Sequence, residues 1–505
     1  SGTSGGVINI ITKNGFSSDK KVSGTIGTEM GSYNSYTYKG NVIGQVTDNL
    51  QIGLDYLHGN SDNYREGSEY DKDNYGISLN YKIDNNQKIN FKYTKYTNDY
   101  SSPAVLTQAQ LDKDRDGAST SETDYQADKD SYSLVYDYNM KDNLKFNLLS
   151  SYYNSVSESS TSTSITNFDE SKIAFKPKLN YEYSKGTLTA GYDYTFNNIV
   201  RDTKLGNGAF YDISKMTNSV FLNNRYDMNK LELITGYRYE KSDYEMKDQK
   251  YGTKTPSDMD KTSSNSAYSM GLNYLYSDSG KLYGKFESGY TFPDPRQYIN
   301  LTNGEGELNN LQDEEFMTYE IGFQDYIINS LVKGAVYYTE KENEIRKEGS
   351  SLNAKFYNID ASKRIGGELS ISQNIKKLEL SESIAYIDAK VTEGTYEGKR
   401  IPYVSKITSS INATYTFNEK VDLSGNITYR DKYYVDASNL SGLVNDKFVT
   451  DIKVNYSIDS NWKTYAGINN LFNADYYNTI NYSSGAYTYD PASERNYFIG
   501  FNYSF

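Results

Sequence analysis

Three carboxylates at alternate positions, Asp112-Lys-Asp114-Arg-Asp116, run into Gly117. Hard oxygen ligands spaced this way, with a glycine for the sharp turn, are what a calcium loop requires. The twelfth position of such a loop holds Thr123, and Glu122 falls one residue short, so a solvated acidic turn is the competing reading. The chain has one histidine, His58, and no cysteine, which excludes thiolate sites, multi-histidine clusters and a disulfide framework. We find no nucleophile–base arrangement, no phosphate-cradling glycine loop and no carboxylate pair with a reason to be catalytic. The expectation is a protein that is not an enzyme and holds no covalent cofactor.

The elements that position these residues must come from an unusual composition. Of the 505 residues, 36% are hydrophobic, but 54 are tyrosines and only 7 are prolines. Setting tyrosine aside and adding glycine leaves about a third of the chain apolar, against ~45–50% for a globular domain. Disordered chains tolerate so little aliphatic content, yet they are poor in aromatics, and here aromatics reach 15%. A β-barrel with a polar interior and an apolar exterior fits both facts. The formal charge of −13 argues against nucleic acid, whose binders carry a basic stripe. No run approaches the ~18 uncharged apolar residues of a transmembrane helix, so a membrane span must be built of strands.

Period-two alternation runs through the chain. Tyr75, Ile77, Leu79, Tyr81 and Ile83 share one face while Gly76, Ser78, Asn80 and Lys82 share the other, the pattern of a half-buried strand. It returns at Ile89/Phe91/Tyr93, Leu188/Ala190/Tyr192/Tyr194/Phe196, Tyr268/Met270/Leu272/Tyr274 and Val421/Leu423/Gly425/Ile427/Tyr429. Between the runs, tight turns such as Asp84-Asn-Asn-Gln87 and Met140-Lys-Asp-Asn143 alternate with long polar links at 97–130, 153–171, 241–266 and 291–316. Short turns at one rim and long loops at the other predict an outer-membrane barrel. Tyrosine suits it, because the ring tolerates the hydrocarbon edge while the hydroxyl reaches the headgroups. Tyr497, Ile499, Phe501, Tyr503 and Phe505 line one face up to the carboxyl end, which resembles the terminal strand read by the barrel assembly machinery.

A succession of segments, in order, resembles the TonB-dependent outer-membrane receptor family. Ser4-Gly-Gly-Val-Ile-Asn-Ile-Ile-Thr-Lys13 is similar to the end of its plug domain, with Gly5, Gly6, Val7, Ile8 and Asn9 at the plug–barrel junction. Gly289-Tyr-Thr-Phe-Pro-Asp-Pro295, Leu308-Asn-Asn-Leu-Gln-Asp-Glu-Glu315 and Tyr319-Glu-Ile-Gly322 follow the family's Phe-Arg-Ala-Pro, Asn-Pro-Asn-Leu and Tyr-Glu-Leu-Gly succession, with Pro293-Asp294 in place of Arg-Ala and Asn310 in place of the usual proline. Asn358–Glu368 with Arg400-Ile-Pro-Tyr-Val404, and then Asn469-Asn-Leu-Phe-Asn473 with Tyr476-Tyr477 and Arg495-Asn-Tyr497, complete the resemblance.

The resemblance implies a transmembrane antiparallel all-β barrel of 22 strands over residues 16–505, preceded at 1–15 by the tail of a plug. About 490 residues give roughly 22 per strand and link, enough for strands of ~9–11 residues plus loops. The opening Ser1, without Met or a leader, is read as a processed or truncated start. The implied function is import of a ferric siderophore or similar iron complex across the bacterial outer membrane, with the TonB complex acting through the missing N-terminal part. The expected partners are TonB, outer-membrane lipid and the assembly machinery. The alternatives are a cobalamin or haem receptor of the same family, or a non-transport barrel acting as adhesin or passive pore. Haem is disfavoured because no histidine lies between 295 and 308, and His58, alternating with Leu54 and Tyr56, is placed at the headgroup rim. An anionic ferric complex needs guanidinium and phenol groups in the loops, for which the candidates are Arg115, Tyr125, Arg201, Arg296 and Tyr298. Asp112, Asp114 and Asp116 are the candidate calcium ligands.

Overall fold

The computed structural model describes residues 21–117, 121–204, 208–250, 252, 257–303, 305–348, 353–483 and 485–505. The junction residues Gly5, Gly6, Val7, Ile8 and Asn9 lie outside them. A single 22-stranded antiparallel sheet closes on itself. Its first strand, Val22–Gly31, pairs with its last, Asn496–Ser504, from Thr25 opposite Ser504 to Gly31 opposite Phe498. Closure leaves no unpaired edge in lipid, where an orphaned amide or carbonyl costs several kcal/mol. No helix among the described residues is long and apolar enough to cross a membrane.

The closing seam is held by more than the ladder. Tyr465, on the strand Trp462–Asn469, lays its ring over Gly500 of the last strand and donates its hydroxyl to Glu29 Oε2 of the first at 2.7 Å. Only glycine leaves room for that ring, since a Cβ at position 500 would collide with it. One tyrosine thus ties three strands across the point of closure.

The alternation read from the sequence sets which face meets lipid. Tyr268, Met270, Leu272 and Tyr274 are all exposed outward, as are Ile173, Phe175, Leu179 and Tyr181. Tyr268 and Tyr274, six residues apart and about 20 Å from each other along the strand, bracket its outward apolar residues as the upper and lower tyrosine girdles. At the short rim, turns are set by local chemistry: Asp84 Oδ1 accepts from the amides of Asn86 (2.7 Å) and Gln87 (2.8 Å), an Asx turn that reverses the chain within four residues.

Three of the four long polar links are mostly strand. Gln87–Pro103 and Glu122–Lys141 run far into 97–130, Leu144–Ser160 and Ile165–Tyr183 leave only four residues between them, and Leu231–Lys250 and Ser257–Leu275 consume most of 241–266. Above the bilayer both faces of a strand can be wet, so the apolar period fades while the hydrogen-bond ladder continues. The fourth link, 291–316, does leave the wall. It holds the 3₁₀ turn Pro295–Tyr298 and the hairpin Ile299–Thr302/Glu305–Leu308.

In these extensions the apolar parity reverses. On Phe210–Met228, Val220 and Leu222 face outward and are exposed, whereas Tyr211 and Ile213 face inward and are buried. On Leu231–Lys250 the switch runs from Tyr237 and Tyr239 outward to Tyr244 and Met246 inward. The register is unbroken from Ile213–Met246 down to Met228–Leu231, so no bulge turns the strands over. What changes is the neighbour: lipid outside below, a folded segment inside above.

Candidate functional site

That segment, 292–313, is a strap folded into the extracellular half of the lumen. Lys215, Tyr244 and Lys261 stand opposite one another on three adjacent strands and receive it. Tyr244 donates its hydroxyl to the Pro293 carbonyl at 3.1 Å and meets the Tyr298 ring edge-on at 5.5 Å. The Lys215 ammonium sits 4.9 Å from the Tyr244 ring and 5.4 Å from Phe292. Lys261 lies 4.6 Å over Tyr298 and donates to the Leu311 carbonyl. Ile199, Tyr211, Ile213, Met246 and Tyr290 complete a buried cluster with Phe292, Ile299 and Leu311.

The return of the strap is pinned by ionic and amide contacts. Lys341 Nζ pairs with Glu314 Oε2 at 3.0 Å, both side chains nearly buried, and Glu314 Oε1 accepts from the Ile345 amide. Gln312 and Asn358 exchange two bonds, Gln312 N–H to Asn358 Oδ1 at 2.9 Å and Asn358 Nδ2 to the Gln312 carbonyl at 3.1 Å. Behind them Glu344 bonds Arg364, Arg346 and Ser362. The sequence segments at 289–295, 308–315 and 358–368 are therefore one structural unit: the strap, its return and its clasp.

Electrostatics follow from this burial. These groups lie above the upper tyrosine girdle. Burial pushes the ammonium groups of Lys215 and Lys261 below the ordinary lysine pKa and raises the Tyr298 phenol and the Asp313 carboxyl. Burial also opposes ionisation of Asp294, but the Arg296 guanidinium, 2.9 Å away, outweighs it and holds that carboxyl below its usual range.

Beside the strap a cavity of about 530 Å³ opens between it and five extended strands. Its wall includes Tyr96, Tyr100, Tyr125, Lys129, Phe168 and Arg296. Tyr100 and Tyr125 stack at 4.7 Å, within 9° of parallel, and Lys129 stands 5.6 Å over Tyr96. Glu170 and Asp294 share the wall with Lys129 and Arg296, and Arg296 is paired with Asp294, so the feature that sets this cavity apart is its flat rings, on which an aromatic ligand stacks.

The sequence candidates divide. Tyr125 and Arg296 line this cavity, and the Arg201 guanidinium packs 5.6 Å over Phe168, one of its walls. Tyr298, in the strap itself, is fully buried against Tyr244 and Lys261 of the wall. Arg115 belongs elsewhere, donating to the Tyr476 carbonyl at 2.6 Å and lying over Tyr477, beside the small sheet of Leu106–Thr107, Tyr477–Ser483 and Ala486–Pro491. Of the three aspartates, Asp114 and Asp116 bring their carboxyls together, while Asp112 stands apart. Thr107 and Gln110 form a capping box that takes Gln108–Lys113 into a helix, with Asp112 accepting from Gln108 and Asp114 at the C-cap. Helical rotation turns Asp112 away from Asp114, and among the described residues the three make no joint metal-ligating group. His58 is on the outward face, at the rim, beside Tyr38 and Asp73.

Tyr100, Lys129 and Phe168 were hidden in stretches read as links, and Tyr96 stands just before the first of them. Their signal was parity. Ile89, Phe91 and Tyr93 occupy odd positions, and Tyr96 and Tyr100, on the same strand, occupy even ones.

A closed 22-stranded barrel with an aromatic-lined mouth is the architecture of an outer-membrane receptor barrel. The chain belongs to the family described as TonB dependent receptor-like, beta-barrel, which it matches over residues 12–471. It is 21% identical over 249 residues to the catecholate siderophore receptor Fiu of Escherichia coli, a match covering 46% of this chain and 32% of that protein; it thus spans about a third of that relative's length. Among solved structures it superposes on the ferric yersiniabactin uptake receptor FyuA from Yersinia pestis with a TM-score of 0.84 at 14% identity, over 96% of this chain and 80% of that one. For the ferric citrate transporter FecA the values are 0.81, 16%, 96% and 79%. These likenesses show a shared fold.

Proposed function

We propose that this chain is the translocation barrel for a ferric siderophore, an anionic iron complex that enters at the extracellular mouth and is carried inward with energy from a TonB complex acting on a plug, of which residues 1–15 are the tail. The observation that carries this reading is the cavity beside the strap, where five inward aromatic rings, Tyr96, Tyr100, Tyr125, Tyr153 and Phe168, stand with Lys129 and Arg296. Aromatic ligands stack on such rings and oxygen-rich anions are met by the guanidinium and the ammonium. The relative Fiu, named for catecholate siderophores, is consistent with that chemistry.

The test is binding of ferric catecholate, hydroxamate and citrate complexes, and of cobalamin, to detergent-solubilised protein, with and without a restored plug. Saturable binding of one iron complex supports import and identifies the cargo class. Failure of every ligand with the plug restored, together with ion conductance, would leave a pore or adhesin.

A further inference from the structure

On the outside of the barrel, remote from the lumen, the strands Leu50–Ser61 and Tyr70–Lys82 bring the chain's one histidine against two carboxylates. Tyr56 and Tyr75, facing each other at 5.1 Å, mark the upper girdle here. One step above it His58 stands directly opposite Asp73, and one step further Asn60 stands opposite Asp71. His58 Nδ1 lies 3.1 Å from Asp73 Oδ1 and 3.8 Å from Asp71 Oδ1, and all three donor atoms fall within 4.8 Å of one another. Ligands around a tetrahedral ion with bonds of ~2.0–2.2 Å sit roughly 3.3–3.6 Å apart, which these separations bracket.

We propose that His58, Asp71 and Asp73 form a divalent transition-metal site of the zinc type on the outer face of the barrel. The donors are preorganised by the sheet. Tyr56 donates its hydroxyl to Asp73 Oδ1 at 3.0 Å, Asn60 donates to Asp71 Oδ2 at 3.2 Å, and the imidazole is stacked on Tyr38 and flanked by Tyr36. Outer partners of this kind fix ligand orientation. The charge balance points the same way. Asp71 and Asp73 project from one face of one strand, and neither has a lysine or arginine partner among the described residues. On the neighbouring strand pair the same need is met by protein, with Lys95 Nζ 2.9 Å from Asp128. At the histidine site a dication fills that role, and one neutral imidazole with two carboxylates selects zinc, manganese, cobalt or nickel over magnesium. The competing arrangement, a protonated imidazole alone against the carboxylates, needs no metal.

The experiment uses the full chain in detergent, purified by a histidine-free tag and stripped with chelator. Zn²⁺ is titrated by calorimetry, and Co²⁺ serves as a visible-absorption probe. Wild type is expected to take up one equivalent of Zn²⁺ and to show Co²⁺ ligand-field bands, with a large excess of Mg²⁺ displacing neither. His58→Ala and Asp73→Asn should weaken Zn²⁺ binding by about tenfold or more, and Tyr56→Phe by less. Heat-modifiable migration on gels reports that each variant remains a folded barrel. Equal Zn²⁺ uptake by folded wild type and folded His58→Ala, or no uptake by wild type, overturns the proposal in favour of the protonated pair.

Discussion

The lower and upper halves of one strand obey opposite rules. On Phe210–Met228 the outward Val220 and Leu222 are half exposed, in the position of lipid contacts, while a few residues above them the inward Tyr211 and Ile213 are almost completely buried under the strap. In the band, stability comes from the ladder and from an exterior that lipid tolerates, so individual apolar contacts matter little. In the upper half a dry, side-chain-packed core exists, and single contacts carry weight. A barrel of this kind is a scaffold below and a folded protein above.

The strongest way to break that contrast is at the clasp. Lys341→Ala leaves the nearly buried Glu314 without its ammonium partner, and removing one partner of such a pair costs about 3–5 kcal/mol. The strap 292–313 should then become sensitive to protease while the barrel still migrates as folded; loss of the barrel instead would show that the two halves are one cooperative unit. Leu272→Arg, outward between the two girdles, should cost about 2–4 kcal/mol at bilayer depth, measured by reversible urea unfolding into liposomes. Ser264→Arg, outward on the same strand but above the band, should change that value by less than about 0.5 kcal/mol. Equal penalties would move the membrane boundary upward. At the cavity, Tyr125→Ala should weaken binding of a ferric catecholate by about 1 kcal/mol, roughly fivefold, without altering barrel stability, as read by fluorescence quenching.

The mildest effect is one of pH. Burial works against the Glu344 carboxylate, yet Arg364 and Arg346 outweigh it and hold its pKa below the ordinary glutamate value. A depressed folded pKa contributes stability that is complete above the unfolded value of ~4.3 and is lost as pH falls through the lower, folded one. The clasp should therefore loosen only below about pH 4, seen as pepsin cleavage appearing within 292–313 while the band stays intact. Cleavage already present at pH 5 would mean that the clasp does not depend on this carboxylate.

The sequence, read alone, contained the band, because there one face meets lipid and the other meets water, and that asymmetry writes period two directly into Tyr75-Gly-Ile-Ser-Leu-Asn-Tyr81. It also contained the family's segments and two of the cavity residues, Tyr125 and Arg296. It did not show that 97–103 and 122–130 are strand, since a strand with two wet faces has no apolar period to read. Nor did alternate spacing reveal that Asp112 is helical, because the capping box of Thr107 and Gln110 decides that.

What only the tertiary structure decided is which residues meet. The cavity wall draws Tyr96, Tyr125, Phe168 and Arg296 from distant parts of the chain, and the clasp joins Glu314 to Lys341 and Gln312 to Asn358 across the return of the strap. The physical reason is the closed sheet. Strand parity is local and can be counted along the chain, whereas the neighbours across a lumen are fixed by register, tilt and closure of all 22 strands together.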